Sequence, residues 1–299
     1  MSVFVVVGAG PVGRETARLL AADGHEVRLV SRSGATPGGA VVGVALDARD
    51  ADGLARAAAG AEALFMCAMP LYTRWPADFP PIMDGVAEAA EKLRARLIVL
   101  GNIYGYGSGA KSPLTSTAPM APTSVKGRVR SAMWERALSA NVPALEVRAS
   151  DYLGEGAGSL FTLMTLSPLL AGKPAMVSGD LGALHAWTFT KDVARTLVAA
   201  SRYPGEWGRA FLVPSQHVSV RNLAARFAEL AGVPVPDLQV LGEEELEALG
   251  REDELMRELP EMAYLYRQPC ILDASDTERL LGVSASSLDA MIADTLRKP

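Results

Sequence analysis

Residues 3–13 read VFVVVGAGPVG, and this stretch constrains everything that follows it. Val3–Val7 is a run of five apolar, mostly β-branched residues, the pattern of a strand buried on both faces in a parallel sheet. Gly8, Gly10 and Gly13 follow in G-x-G-x-x-G spacing, and a helical pattern runs from Val12 to Leu20. Gly8 suits a tight strand-to-helix turn, Gly10 a close approach of the backbone to a phosphate, and Gly13 close packing of helix on strand. The helix N-terminus, which contains Pro11 and Val12, offers unpaired N–H groups to an anion. Glycine spacing alone is weak evidence. Strand, glycines and helix in this order form the pattern of a loop that holds a dinucleotide's pyrophosphate.

Apolar runs and helical patterns alternate from there. Glu26–Ser31, Val41–Leu46, Ala63–Cys67, Arg96–Leu100 and Ala144–Arg148 read as strands two to six. Helices are expected at Asp50–Ala59, Asp84–Arg94 and Ser124–Ala140, the last capped by Thr123. Leu71–Pro81, rich in proline and aromatics, reads as an irregular loop or lid, and Lys111–Pro122 as a Ser/Thr/Pro loop. Such alternation predicts an α/β fold: a Rossmann-type doubly wound parallel sheet with ligands at the strands' carboxyl ends.

Composition shifts near Tyr152. Residues 1–151 are expected to form the dinucleotide-binding part. Residues 152–299 are expected to form a smaller α+β substrate-binding part, some of whose elements return to the core. Helices are expected there at Ser159–Leu170, Lys191–Ser201, Val220–Ala231 (begun by Ser219) and Leu288–Arg297. Strands are expected at Ala175–Val177, His185–Thr188 and Ala210–Val213, and Glu243–Leu259 reads as an acidic, solvated helical segment.

A formal net charge of −5 gives no electrostatic reason to expect nucleic acid or an anionic membrane as partner. Cys67 and Cys270, the two cysteines, suit a reducing compartment, and neither has a neighbour at metal-ligand spacing, so no metal is expected. The first residues already read as a strand and no apolar run is long enough for a bilayer, so a cytoplasmic protein, monomer or homodimer, is expected. The chain carries neither a G-x-S-x-G elbow nor a G-x-x-x-x-G-K-[ST] phosphate loop.

The cofactor contacts follow from the fold. A dinucleotide fold that prefers NAD places an Asp or Glu after the second strand, on the ribose 2′-hydroxyl. Here the position reads Ser31-Arg32-Ser33. A guanidinium beside hydroxyls suits a 2′-phosphate, which favours NADP(H) over NAD(H); the alternative is that Arg32 is a solvated loop residue. Asp47 and Ala48, after the third strand, are expected at the adenine. Ala68 and Met69, after the fourth, are expected beside the nicotinamide half.

GAGPVG (Gly8–Gly13), Gly101–Gly107 ending in Tyr-Gly, RASDYLG (Arg148–Gly154) and WTFTKDVARTLVAA (Trp187–Ala200) occur in an order that resembles one superfamily. It is the short-chain dehydrogenase/reductases, in the extended or atypical branch with NAD(P)-dependent epimerase/dehydratases and NmrA-like proteins. The resemblance spans nearly the whole chain and implies a Rossmann core with a small C-terminal substrate domain. Active members of that family use a Tyr-x-x-x-Lys pair, the tyrosine as acid/base and the lysine on the nicotinamide ribose. Four residues after Tyr72, Tyr104, Tyr106, Tyr152, Tyr203, Tyr264 and Tyr266 stand Pro76, Ser108, Ala110, Gly156, Trp207, Gln268 and Cys270. The pair is absent. The resemblance leaves Lys126 as the remnant lysine, with Pro122 in the tyrosine's place. It also leaves Asn102 for the family's catalytic Ser/Thr, able to bond a carbonyl or carboxamide but not to relay a proton.

Tyr104 is the candidate proton donor, a packed aromatic being its alternative, and Ser150, Asp151 and His185 are candidate substrate contacts. Two functions remain open. One is an NADP(H)-dependent oxidoreductase or epimerase-like enzyme, transferring a hydride at a carbonyl/alcohol carbon of a small molecule. The other is a non-catalytic NADP(H)-binding sensor of the NmrA-like kind.

Overall fold

The computed structural model describes residues 1–297. Twelve strands are described: β1 (Val3–Val7), β2 (Glu26–Ser31), β3 (Val41–Ala45), β4 (Ala61–Met66), β5 (Arg96–Asn102), β6 (Ala144–Ala149), β7 (Asp151–Leu153), β8 (Ala175–Val177), β9 (Leu184–Phe189), β10 (Arg209–Leu212), β11 (Gln216–Ser219) and β12 (Leu238–Val240). Seven of them form one parallel sheet in the order β10-β6-β5-β4-β1-β2-β3. The chain order reverses between β1 and β4, so a crevice opens there at the carboxyl ends. No helix among the described residues is long and apolar enough to cross a membrane.

Helices cover both faces, which is why β1, β4 and β5 read as largely apolar runs. On one face lie α1 (Pro11–Ala22) and, further along the chain, the helix Thr190–Ser201, burying Ala17, Leu20, Val193 and Leu197 against Phe4, Phe65 and Ile98. On the other lie α2 (Ala51–Ala57), α3 (Trp75–Leu93) and α4 (Val125–Ser139), burying Leu54, Phe79, Val86, Met133 and Ala137 against Val5, Leu64 and Val99. Each such large side chain contributes about 1.5–3 kcal/mol on full burial.

Three expectations need correction. The segment 71–81 is not an irregular loop: a 3₁₀ turn at Tyr72–Arg74 leads into α3, which begins at Trp75 with Pro80 and Pro81 inside it. Trp75, Phe79, Met83 and Val86 recur at helical spacing and are all buried, and Trp75 packs edge-on against Phe79. That stripe outweighs the prolines, which sit in the first two turns and disturb few intrahelical bonds. The cap of α4 is Ser124, whose hydroxyl accepts from the Gly127 N–H at 2.9 Å, while Thr123 accepts from the Ser108 N–H instead. The acidic stretch after Gly242 is two helices broken at Asp253, whose carboxylate caps the second; Leu246 and Leu259 are buried, so the stretch is not solvated all round.

Beyond β6 the chain interleaves with the main layer. After α5 (Leu166–Leu170) comes α6, the helix Thr190–Ser201 already placed against α1, and β10 pairs with β6 as the seventh strand. The remaining elements form a second lobe. In it β11-β9-β7 make a small mixed sheet, β12 pairs with β8, and α7 (Val220–Ala231) is capped by the Ser219 hydroxyl. Phe161, Trp187, Phe227, Leu265 and Tyr266 fill its core. Strands of three or four residues such as β7, β11 and β12 are too short to leave a periodic signal.

Candidate active site

Two cavities meet at the crevice and share Gly10, Met69, Pro70 and Leu71, so they form one groove over the carboxyl ends of the strands. The first, ≈420 Å³, is lined by Gly8, Ser31, Arg32, Asp47, Ala48, Ala68 and Met69 among others. The second, ≈410 Å³, is lined by Pro11, Val12, Gly13, Asn102, Tyr104, Arg130, Ser150 and Asp151 among others. All eleven residues expected at a cofactor therefore line the groove, together with Tyr104, Asn102, Ser150 and Asp151. Lys126 and His185 do not line it.

The glycine turn explains the junction. A Cβ on Gly13 would stand 1.9 Å from the Gly8 carbonyl oxygen, and one on Gly8 would stand 2.5 Å from the Ala68 nitrogen. Helix, turn and β4 approach too closely for side chains. A Cβ on Gly10 would meet nothing within 4 Å: this is the face turned to the groove. Gly10 caps α1 without a side-chain bond, and no acidic residue occupies the first turn, so the N–H groups of Val12 and Gly13 are left for an anion.

The Arg32 end is polar and exposed. Asp47 is held by Arg49 through two of its oxygens, and this partner keeps its pKa low, at about 2. Arg74 pairs with Asp78 in the same way across one helical turn. Both carboxylates are thus occupied, and Arg32 is the guanidinium of this cavity that makes no hydrogen bond or ion pair among the described residues. Asp47, expected at the adenine, reaches the cavity wall already engaged.

The Tyr104 end is buried and aromatic. Asn102 ends β5, and its side-chain oxygen accepts from the Tyr104 N–H at 3.1 Å, fixing the turn that presents Tyr104. The Tyr104 ring stacks on Trp75, with centroids 6.0 Å apart. Burial, then the neighbouring Tyr72 and Asp151, push its pKa well above the usual value for a phenol. Tyr104 therefore keeps its proton at neutral pH.

Arg130, on α4, is the residue the sequence reasoning missed. It is 2% exposed and lies between the Trp75 and Phe79 rings, 4.4 Å from each centroid. One nitrogen donates to the Leu100 carbonyl, but Nε is buried without a partner and no carboxylate pairs with the guanidinium among the described residues. Burial lowers its pKa from the ordinary arginine value. The Ser150 hydroxyl, on the same wall, is also buried and unpartnered. Orphaned donors of this kind in a cavity await a ligand. The signal for it in the sequence is the i, i+4 spacing of Lys126 and Arg130 on one helix.

Lys126 is placed differently from the expectation. Its ammonium, 1% exposed, pairs with Glu258 and approaches Glu261 at 3.9 Å, and it lies over the Tyr72 ring at 4.4 Å. Its backbone N–H also donates to Glu261. His185 stands behind Asp151 rather than in the groove: His185 Nε2 is 2.7 Å from Asp151 Oδ2, and Tyr266 donates to the same oxygen at 2.6 Å. Among the described residues no cluster of His, Cys, Asp or Glu could hold a metal.

A reversed strand order with a glycine turn at the crevice defines a dinucleotide-binding α/β protein. Residues 3–213 match the sequence model of the NAD dependent epimerase/dehydratase family, and the chain belongs to that family. No curated protein matches it. Among solved structures it is similar to the Bordetella bronchiseptica enzyme WbmH in complex with NAD+ (TM-score 0.79, 19% identity, 99% of this chain and 97% of that one). It is also similar to UDP-glucuronic acid 4-epimerase from Bacillus cereus in complex with NAD (0.77, 15%, 98% and 95%). A third is DesIV, a dTDP-glucose 4,6-dehydratase from Streptomyces venezuelae (0.76, 19%, 99% and 95%). The family is NAD dependent, so a pyridine nucleotide is the cofactor its membership implies, and the bare Gly10 face with the orphaned Arg130 and Ser150 donors fits one.

Proposed function

We propose that this chain is an NADP(H)-dependent oxidoreductase or epimerase-like enzyme acting at a carbonyl/alcohol carbon of a small molecule. The observation that carries the reading is the continuous groove, which runs from an unpaired Arg32, across the glycine turn, to a buried tyrosine and carboxylate. When bound, the cofactor supplies or accepts the hydride. The first-turn N–H groups of α1 hold its pyrophosphate, and Arg32 with Ser31 takes the 2′-phosphate. Ala48 and the Asp47 backbone flank the adenine, and Ala68 and Met69 flank the inner ribose. Arg130 takes the ribose hydroxyls that the family gives to its lysine, leaving Lys126 as a buried ion pair under the groove. The amide group of Asn102 orients a carbonyl or carboxamide. Tyr104 donates a hydrogen bond to the substrate oxygen, where developing negative charge is stabilised best by a donor already aimed at it. The rings of Tyr72, Trp75 and Tyr152 line the cavity and exclude water.

Loss of Tyr-x-x-x-Lys and the engagement of Lys126 by Glu258 favour the second reading, a sensor that binds NADP(H) without turnover. Fluorescence titration with NADPH and NADH, then stereospecifically deuterated NADPH with a panel of carbonyl compounds, tests both. Label in the product, reduced ~10²-fold in Tyr104→Phe, is expected of the enzyme. Tight NADPH binding with no transfer to any compound is expected of the sensor. Equal affinity for the two nucleotides contradicts the Arg32 assignment.

A further inference from the structure

Asp151 opens β7 directly after β6 and lines the second cavity. Both of its protein partners use one oxygen: Oδ2 accepts from the Tyr266 hydroxyl at 2.6 Å and is 2.7 Å from His185 Nε2. Oδ1 has no hydrogen-bond partner among the described residues and is left for a ligand. His185 is 2% exposed, stacked on Tyr266 at 4.5 Å and 13°, with Trp187 against its edge at 4.8 Å, so its ring cannot turn freely.

Proton counting decides what this arrangement contains. His185 Nδ1 faces the Leu265 carbonyl oxygen at 3.2 Å. A carbonyl oxygen only accepts, so Nδ1 carries a proton. A ring protonated there alone would turn a bare lone pair at Nε2 toward a carboxylate oxygen, two acceptors at 2.7 Å. One further proton therefore lies between Nε2 and Oδ2. Tyr266 cannot supply it, because its hydroxyl proton already points at Oδ2, and burial followed by the Asp151 charge pushes its pKa well above the phenol value. Imidazolium with carboxylate, and imidazole with carboxylic acid, differ only in where this proton sits.

We propose that Asp151 is the catalytic carboxyl that exchanges a proton with the substrate oxygen through Oδ1, with His185 and Tyr266 as positioning residues that hold Oδ2. The proposal rests on the hydride-transfer reading above. In oxidation of an alcohol the hydroxyl proton passes to Oδ1, the O–H pair becomes the C=O π pair, and the carbon gives its hydride, with the C–H pair, to the oxidised nicotinamide. Oδ2 keeps its two donors throughout, Nε2–H and the Tyr266 hydroxyl, and the Oδ1 proton then leaves to water. Reduction of a carbonyl runs the same steps in reverse, Oδ1 first taking its proton from water. The aromatic walls formed by Tyr72, Trp75, Tyr104 and Tyr152 select a small carbonyl compound with an apolar or aromatic body.

Two measurements on the full chain test this. With ¹⁵N-histidine labelling, the three histidines are separable, His185 being assigned from His185→Gln. A downfield proton shared by Nε2, lost in Asp151→Asn, is expected at neutral pH. Its absence from the unmodified protein overturns the proposal. The second measurement uses NADPH with 4-nitrobenzaldehyde as the probe. Asp151→Asn is expected to lower kcat by ~10²-fold or more with NADPH affinity unchanged. His185→Gln keeps a donor toward Oδ2 but not the extra proton, and is expected to lower kcat about tenfold with little change in KM. A merely structural histidine would leave kcat unmoved in that variant. Unchanged turnover in both variants overturns the proposal and leaves the hydride reading standing. Failure of the unmodified chain to bind NADPH or NADH removes the hydride reading, and the proposal with it. If the aldehyde is reduced by none of the three chains, the shared proton decides.

Discussion

The Arg32 end of the groove and its Tyr104 end have nearly equal volumes, ≈420 and ≈410 Å³, yet their walls differ in chemistry and in how the chain builds them. At the first end, charged groups find partners within four residues: Asp47 with Arg49, and Arg74 with Asp78. At the second, polar groups are buried and their partners lie far along the chain. Tyr266 reaches Asp151 across 115 residues, and beneath the lining Glu258 reaches Lys126 across 132. The difference teaches that an exposed, charged wall can be built from local pairs, while a dry one is assembled by the whole fold; on the reading proposed above, the first holds the cofactor and the second bears the chemistry.

The variant with the largest expected effect tests whether both ends hang on one turn. In Gly13→Val the new Cβ must displace the Gly8 carbonyl, 1.9 Å away. Overpacking of this kind costs roughly 1–3 kcal/mol or more. NADPH binding measured by fluorescence should fall below detection, and the urea midpoint should drop. Retained binding would break the idea of a common hinge.

Alkaline titration sharpens the dry end. Burial pushes the thiol of Cys67, which lines this end, up to about 12, and that of Cys270, in the core of the second lobe, equally far. The folded state then keeps protons that the unfolded chain loses from about pH 8.5. Their contribution is fully present below that pH and is lost as pH rises toward 12. Urea unfolding followed between pH 8 and pH 11 should show a loss on the order of a few kcal/mol, made shallower by Cys67→Ala. A flat profile would mean that water reaches this end.

Smaller effects belong to the wet end. Arg32→Ala should weaken NADPH about tenfold and leave NADH unchanged, since one charge-assisted contact with a 2′-phosphate is removed. Stability should stay within about 0.5 kcal/mol. The smallest effect is expected for the Asp47–Arg49 pair, both partners at least 40% exposed. A double-mutant cycle in urea should show no resolvable coupling between the two.

The same contrast governs what could be read in advance. β1, β2 and the glycine turn follow from residues adjacent in sequence, and their bounds are met to the residue for both strands. The groove lining from Gly8 to Met69 is equally legible, because a doubly wound sheet puts each strand's carboxyl end at the crevice. Trp75–Pro81 was not, since proline argues against a helix locally and only the buried Trp75–Phe79 stripe reveals the packing that overrides it. Arg130 and the Lys126–Glu258 pair were hidden for another reason. Nothing in a helix's own sequence says which of its basic residues will meet an aromatic cage and which a distant carboxylate.

One strand carries a further lesson about how this molecule can be handled. β10, drawn from beyond residue 208, occupies the outermost place beside β6, and α6 shields Phe4, Phe65 and Ile98 from the opposite flank. A fragment truncated after Asp151 would expose that oily flank and strip β6 of a neighbour, leaving an open ladder prone to self-association. The nucleotide-holding portion is therefore no detachable cartridge. Attempts to graft it, or to exchange the distal lobe for another, need to carry residues 190–212 along with it.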